Sequence, residues 1–148
     1  MILVDVNLLL YAHNSLAEEH SRAKVWLEQV LSGEEPVALC WPVILAFIRI
    51  STSPRIFTRA LSRSEAATVV SEWLERPQTV IVGPDERHWE IFQRLASDGK
   101  VSGPLFSDCH LAALAVEHGA VIYTTDRDFA RFPNLDFRNP LLDGVDTP

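Results

Sequence analysis

Residues 107–132 read SDCHLAALAVEHGAVIYTTDRDFARF, and this stretch decides the fold. Ser107 is read as the cap of a helix, DCHLAALAVEH, which Gly119 closes. Val121 to Tyr123 is a β-branched and aromatic run that predicts a strand, and Thr124-Thr125-Asp126 follows its end. A short helix is expected from Arg127 to Phe132, and Leu135-Asp136-Phe137 as an edge strand. A helix, a glycine stop, a strand and an acidic turn in that order describe half of a βαβ layout.

Working outward, the same alternation recurs. Residues 2–5, ILVD, are an apolar run that ends in an acid and predict a buried strand. Asn7 is expected to cap a short apolar helix through Tyr11, and helical spacing runs from His20 to Leu31 until Gly33. Val37 to Leu39 predicts a second strand, after which Pro42 opens the helix WPVILAFIRI, apolar enough to be buried. Ser62 and Glu65 form an S-x-x-E capping box for a helix to about Glu75. Thr79 to Val82 predicts a third strand, and Pro84 a helix with Trp89, Phe92 and Leu95 on one face, ended by Gly99. Alternating strands and helices predict an α/β domain: a mostly parallel central sheet with helices on both faces. One domain over residues 1–142 is expected, with a short frayed tail at 143–148.

Composition narrows the class. The chain has 148 residues, 47% of them hydrophobic, enough for one self-sufficient core. Cys40 and Cys109 each sit in an apolar segment without a CxxC partner and read as buried thiols in a reducing compartment. The His and Cys residues never fall at zinc-ligand spacing. No run reaches the roughly 18 apolar residues of a membrane span, and residues 1–12 lack the basic start and cleavage site of a signal peptide. A cytoplasmic protein with no membrane contact is expected. The formal net charge of -7 disfavours indiscriminate nucleic-acid binding. Arginines are nevertheless grouped, with Arg49, Arg55, Arg59 and Arg63 in one stretch and Arg127, Arg131 and Arg138 in another. That grouping suits either a locally gripped RNA or simple solvated charge.

In open α/β sheets, ligands lie outside the carboxyl ends of the strands. Asp5 ends the first strand, Asp126 follows the fourth, and Asp108 lies in the first turn of the helix between. Three acids brought to one sheet edge repel unless a cation or protons neutralise them. Hard oxygen donors suit Mg²⁺ or Mn²⁺, ions that promote phosphodiester hydrolysis. Each acid also has an ordinary structural role available: a helix-dipole partner for Asp108, a turn residue for Asp126, a buried paired acid for Asp5. Asn7, Ser107, Thr125 and Asp128 are candidate supporting residues, and Arg49, unusual on an apolar helix, could face the groove. His20 reads as a helix-start residue. A haloacid-dehalogenase-type phosphohydrolase would need Asp-x-Asp and a downstream lysine, and a receiver domain a lysine beyond a late strand. Here Asp5 is followed by Asn7, and Lys24 and Lys100 are at no strand end.

These residues, from MILVDVNLLLYA through AFIRISTSP to DCHLAALAVEHGAVIYTTDRDF and NPL, resemble the PIN domain, in particular the VapC-type toxins of bacterial toxin–antitoxin systems. The resemblance covers essentially the whole chain. It implies a three-layer α/β/α fold and a sequence-selective endoribonuclease using Mg²⁺, for which Mn²⁺ can substitute. Asp5, Asp108 and Asp126 match the family's metal-binding acids, and Asp128 a frequent second acid of the last motif. The resemblance also implies a homodimer silenced by a cognate VapB-like antitoxin. One position departs: Ala46 stands where most such domains carry Glu, which puts a second metal in question and keeps open a degenerate module that binds RNA or a partner without cleavage.

Overall fold

The computed structural model describes residues 1–142. The expected frayed tail at 143–148 lies outside the described residues. Five short strands, β1 (Ile2–Val4), β2 (Val37–Leu39), β3 (Thr79–Ile81), β4 (Val121–Tyr123) and β5 (Phe137–Arg138), form one sheet in the order β3-β2-β1-β4-β5. All four pairings are parallel, with Leu3 beside Ala38 on one side and Ile122 on the other. Every residue of β1 and β2 is buried, as expected of strands covered on both faces.

The helices are α1 (Val6–His13), α2 (His20–Leu31), α3 (Trp41–Ser51), α4 (Arg63–Leu74), α5 (His88–Asp98) and α6 (Leu105–His118), followed by a 3₁₀ turn at Arg127–Arg131. Together with the sheet they make the three-layer α/β/α architecture. Half of α6 is buried, and Gly119 ends it at φ +62°, a left-handed conformation that a Cβ would strain. The chain runs from β1 outward to β2 and β3, then returns to place β4 against the other side of β1. The switch in direction therefore falls between β1 and β4, and a crevice opens there at the carboxyl ends of both strands.

Several local expectations are corrected. Asp5, rather than Asn7, caps α1: its Oδ1 accepts from the Val6 amide at 2.8 Å. α6 begins at Leu105, so Ser107 lies within its first turn and caps nothing. Pro84 does not open α5, because residues 84–87 are held in a turn by Asp85, which accepts from the Arg87 amide at 2.8 Å. The α3 helix is not wholly buried: Trp41 and Leu45 are 53% and 60% exposed, while Val43, Ile44 and Phe47 carry the core face. Trp89 is likewise turned outward. The last strand forms at Phe137–Arg138 rather than Leu135–Phe137. The Ser62–Glu65 capping box forms as expected.

One buried polar contact joins α6 to α5. Glu117 has a fully buried carboxylate. Its Oε1 accepts from the Asp85 amide at 3.0 Å, and its Oε2 lies 2.5 Å from His88 Nδ1. Buried carboxylates persist only when paired and hydrogen-bonded. Glu117→Ala leaves His88 and the Asp85 amide without an acceptor and should lower stability by about 3–5 kcal/mol. Glu117→Gln keeps an acceptor for the amide and should lose less. Urea unfolding of both variants measures this, and an Ala variant within about 1 kcal/mol of the parent contradicts it.

Candidate active site

The crevice at the switch point is organised by Asp5. It is buried at the end of β1, and its own amide donates to the Tyr123 carbonyl at 3.0 Å, extending the β1–β4 pairing by one bond. Three donors converge on its carboxylate. Val6 N–H reaches Oδ1, while Thr124 Oγ1–H and Asn7 Nδ2–H reach Oδ2 at 2.7 and 3.1 Å. Asn7 also donates to Thr124 Oγ1 at 3.1 Å, and its own Oδ1 accepts from the Thr125 amide at 3.3 Å. Burial nonetheless raises the Asp5 pKa above its ordinary value; the three hydrogen bonds oppose this and the nearby Asp126 charge adds to it.

The turn after β4 is built by a repeated local device. Thr124 Oγ1 accepts from the Asp126 amide at 2.9 Å, and Asp126 Oδ1 accepts from the Asp128 amide at 2.8 Å. Each side chain satisfies the N–H two residues on, as Ser, Thr, Asn and Asp do in turns. The Thr-x-Asp-x-Asp spacing thus sets the path that brings Asp126 and Asp128 toward α6.

Among the described residues, Asp108, Asp126 and Asp128 offer carboxylate oxygens that all lie within 4.8 Å of one another. Asp5 stands outside that trio but is coupled to it. The Asp108 pKa is pushed up to about 6, first by burial and then by the negative charges of Asp126, Asp5 and Asp128, against a lowering by Arg131. A cation relieves such repulsion, and an all-carboxylate donor set suits a hard divalent ion better than zinc or copper.

A cleft of about 320 Å³ opens between α3 and α6, next to this cluster. Asp5, Asp108, Ser107, His110, Ala46 and Arg49 are among its lining residues. Arg49 and Ala46 both lie in the α3 wall of this cleft. Thr125 contributes its backbone amide to Asn7, as given above, rather than a side chain to the acids.

Two features went unforeseen. Thr124, not Thr125, is the threonine bonded to the acids, and the i, i+2 spacing of Thr124, Asp126 and Asp128 was the available signal. His110 lines the cleft, and its Nδ1 lies 3.1 Å from Nε2 of His88, which Glu117 holds from behind. His110 and Glu117 share one face of α6, but His88 lies 22 and 29 positions before them, too far for spacing to reveal the trio.

Known proteins resemble this chain in sequence and in fold. The PIN domain family model matches residues 2–135. The chain is 42% identical over 140 residues to Ribonuclease VapC37 of Mycobacterium tuberculosis, covering 95% of this chain and 97% of that protein. It is 36% identical to Ribonuclease VapC33 of the same species over 141 residues, covering 95% and 99% of the two chains. Among solved structures, VapBC-1 from nontypeable Haemophilus influenzae matches with a TM-score of 0.68 at 18% identity, over 95% of this chain and 98% of that one. VapBC2 from Rickettsia felis, bound to a promoter DNA fragment, matches with a TM-score of 0.67 at 17% identity, over 94% and 98%. With a family match across nearly the whole chain and full-length VapC relatives, the protein belongs to the PIN domain family, in its VapC branch.

Proposed function

We propose that this protein is a divalent-metal-dependent endoribonuclease, the toxin of a VapBC-type pair, and that it acts in the cytoplasm as a homodimer restrained by a VapB-like antitoxin. The observation that carries the reading is the meeting of Asp108, Asp126 and Asp128 oxygens within 4.8 Å at the switch point of a PIN fold. VapC relatives named as ribonucleases and the VapBC complexes among structural neighbours support the toxin assignment. Among the described residues, no helix is long and apolar enough to cross a membrane.

In this reading Asp5, Asp108 and Asp126 hold Mg²⁺, or Mn²⁺ in its place, with Asp128 as a supporting acid beside Asp108 and Asp126. When bound, the ion supplies water activation and charge stabilisation during phosphodiester hydrolysis, in which one P–O bond forms to water and one P–O ester bond breaks. Asn7 and Thr124 orient the Asp5 carboxylate, and the Asp128 amide orients that of Asp126. Arg49, exposed at the mouth, is placed to meet a phosphate of the RNA backbone. The acidic body leaves such local cations to select the substrate.

Asp126→Asn should reduce RNA cleavage by at least about 100-fold, as should EDTA. Asp5 and Asp128 should separate by stability. Asp5→Ala strips the acceptor from three donors and should cost about 2 kcal/mol as well as activity. Asp128→Ala, on an exposed residue, should lose activity with an unchanged melting temperature. Retained cleavage in a folded Asp126→Asn protein contradicts the mechanism.

The raised Asp108 pKa carries a sign. The folded protein favours the protonated acid, so ionisation of Asp108 penalises the metal-free fold as pH rises from about 4, fully so above about 6. Asp108→Asn should therefore stabilise metal-free protein at pH 7.5 by about 1–2 kcal/mol, a figure discounted for its partial exposure, and should not do so at pH 4. Thermal melts in EDTA at both pH values check this.

Ala46 favours a weakly held ion and keeps a non-cleaving RNA- or partner-binding module as the second reading. Ala46→Glu adds a carboxylate to the cleft wall and should tighten Mn²⁺ by roughly an order of magnitude in calorimetric titration. Two tight sites in the parent protein would show that another residue replaces the missing Glu. Cleavage of RNA by the purified parent in Mn²⁺ excludes the non-cleaving module.

A further inference from the structure

Beside the cleft runs a strip of aromatic rings. Trp89 stacks on Phe92 with centroids 5.8 Å apart and planes 13° from parallel, and Phe92 stacks on Phe106 at 6.0 Å and 21°. The two outer rings are open to solvent, Trp89 by 66% and Phe106 by 44%. The strip does not stop there. His88 lies against Phe92 at 6.0 Å and against His110 at 4.9 Å, and His110 lines the cleft that holds Asp108. Phe106 and His110 are one helical turn apart on α6. A nearly continuous aromatic path thus leads from the surface to the carboxylates.

We propose that Trp89, Phe92 and Phe106 form a stacking platform for unpaired bases of the RNA beside the scissile phosphate. The proposal rests on the ribonuclease reading and adds to it the surface that contacts bases next to the scissile phosphate. Three observations favour RNA over a second copy of the chain. The rings are near-parallel with open ends, so a base can extend the stack by its π face. The path is continuous with the cleft where the phosphate is to be held. With a net charge of -7, the protein as a whole repels RNA, so affinity has to come from local contacts, and base stacking is one that needs no cation. The mixed apolar face of α3, with Trp41 and Leu45 exposed, offers aliphatic as well as aromatic surface for protein contacts elsewhere.

The experiment measures binding of a fluorescein-labelled single-stranded RNA of about 12 nucleotides, by anisotropy with Mn²⁺ present. All proteins carry Asp126→Asn to block cleavage. Trp89→Ala and Phe106→Ala should each raise Kd about 5- to 100-fold, the loss of one stacked base. Trp89→Phe should restore most of the affinity, whereas Trp89→Leu, of similar apolar character but without a π face, should not. Against an RNA with abasic ribonucleotides, parent and Trp89→Ala proteins should bind equally. Sedimentation of the same proteins reports their oligomeric state. Equal affinity of the Ala variants and the parent for intact RNA overturns the platform while leaving the ribonuclease reading standing, and so does Leu performing as well as Phe. A shift from dimer to monomer with unchanged RNA affinity assigns the strip to a second copy and also overturns it. Failure of the parent to bind any RNA overturns both readings.

Discussion

The hydrogen bonds that hold the Asp5 carboxylate are the constraint on which the site depends. A charged group at the end of a buried strand is tolerated only if its lone pairs are met. Here they are met by the amide that starts α1, by Asn7 one residue further on, and by Thr124 from across the sheet. One carboxylate thereby caps a helix, joins β1 to the end of β4 and places the turn that carries Asp126. Three bonds to the protein fix the orientation of this carboxylate at the wall of the cleft that it shares with Asp108.

The remaining acids are arranged at the expense of stability. Asp108 sits in the first turn of α6, where the helix dipole favours negative charge, yet burial and three neighbouring carboxylates outweigh that and hold its pKa near 6. Repulsion of this size has no packing benefit, and it is what a divalent cation bound in the proposed site would relieve. Ala46 adds no charge to the α3 wall of the cleft.

Glu117 plays a corresponding part on the other side of α6. Its buried carboxylate holds the Asp85 amide and His88, fixing the start of α5 against α6. That contact lies next to Trp89 and to the meeting of His88 with His110. A buried hydrogen-bonded contact between α5 and α6 therefore adjoins the surface leading to the acids.

Local patterns determined the element order, the parallel α/β class and the strand ends where the acids lie, because those follow from short-range periodicity and glycine and proline punctuation. β1, β2, β4, α2 and the Ser62–Glu65 cap were legible for that reason. So was the candidacy of Asp5, Asp108, Asp126 and Asp128, since an acid at the end of an apolar run is conspicuous, and the resemblance to PIN domains placed them together. Helix starts were less legible: Asn7 and Ser107 are good caps in isolation, but a nearby Asp and a proline-led turn took their places. Only the tertiary structure could decide which threonine bonds Asp5, that Trp41, Leu45 and Trp89 face solvent, and that His88, His110 and Glu117 meet. Those outcomes depend on how helices pack around the sheet, and a residue's own neighbours in sequence carry no record of the partner that arrives from 22 or 29 positions away.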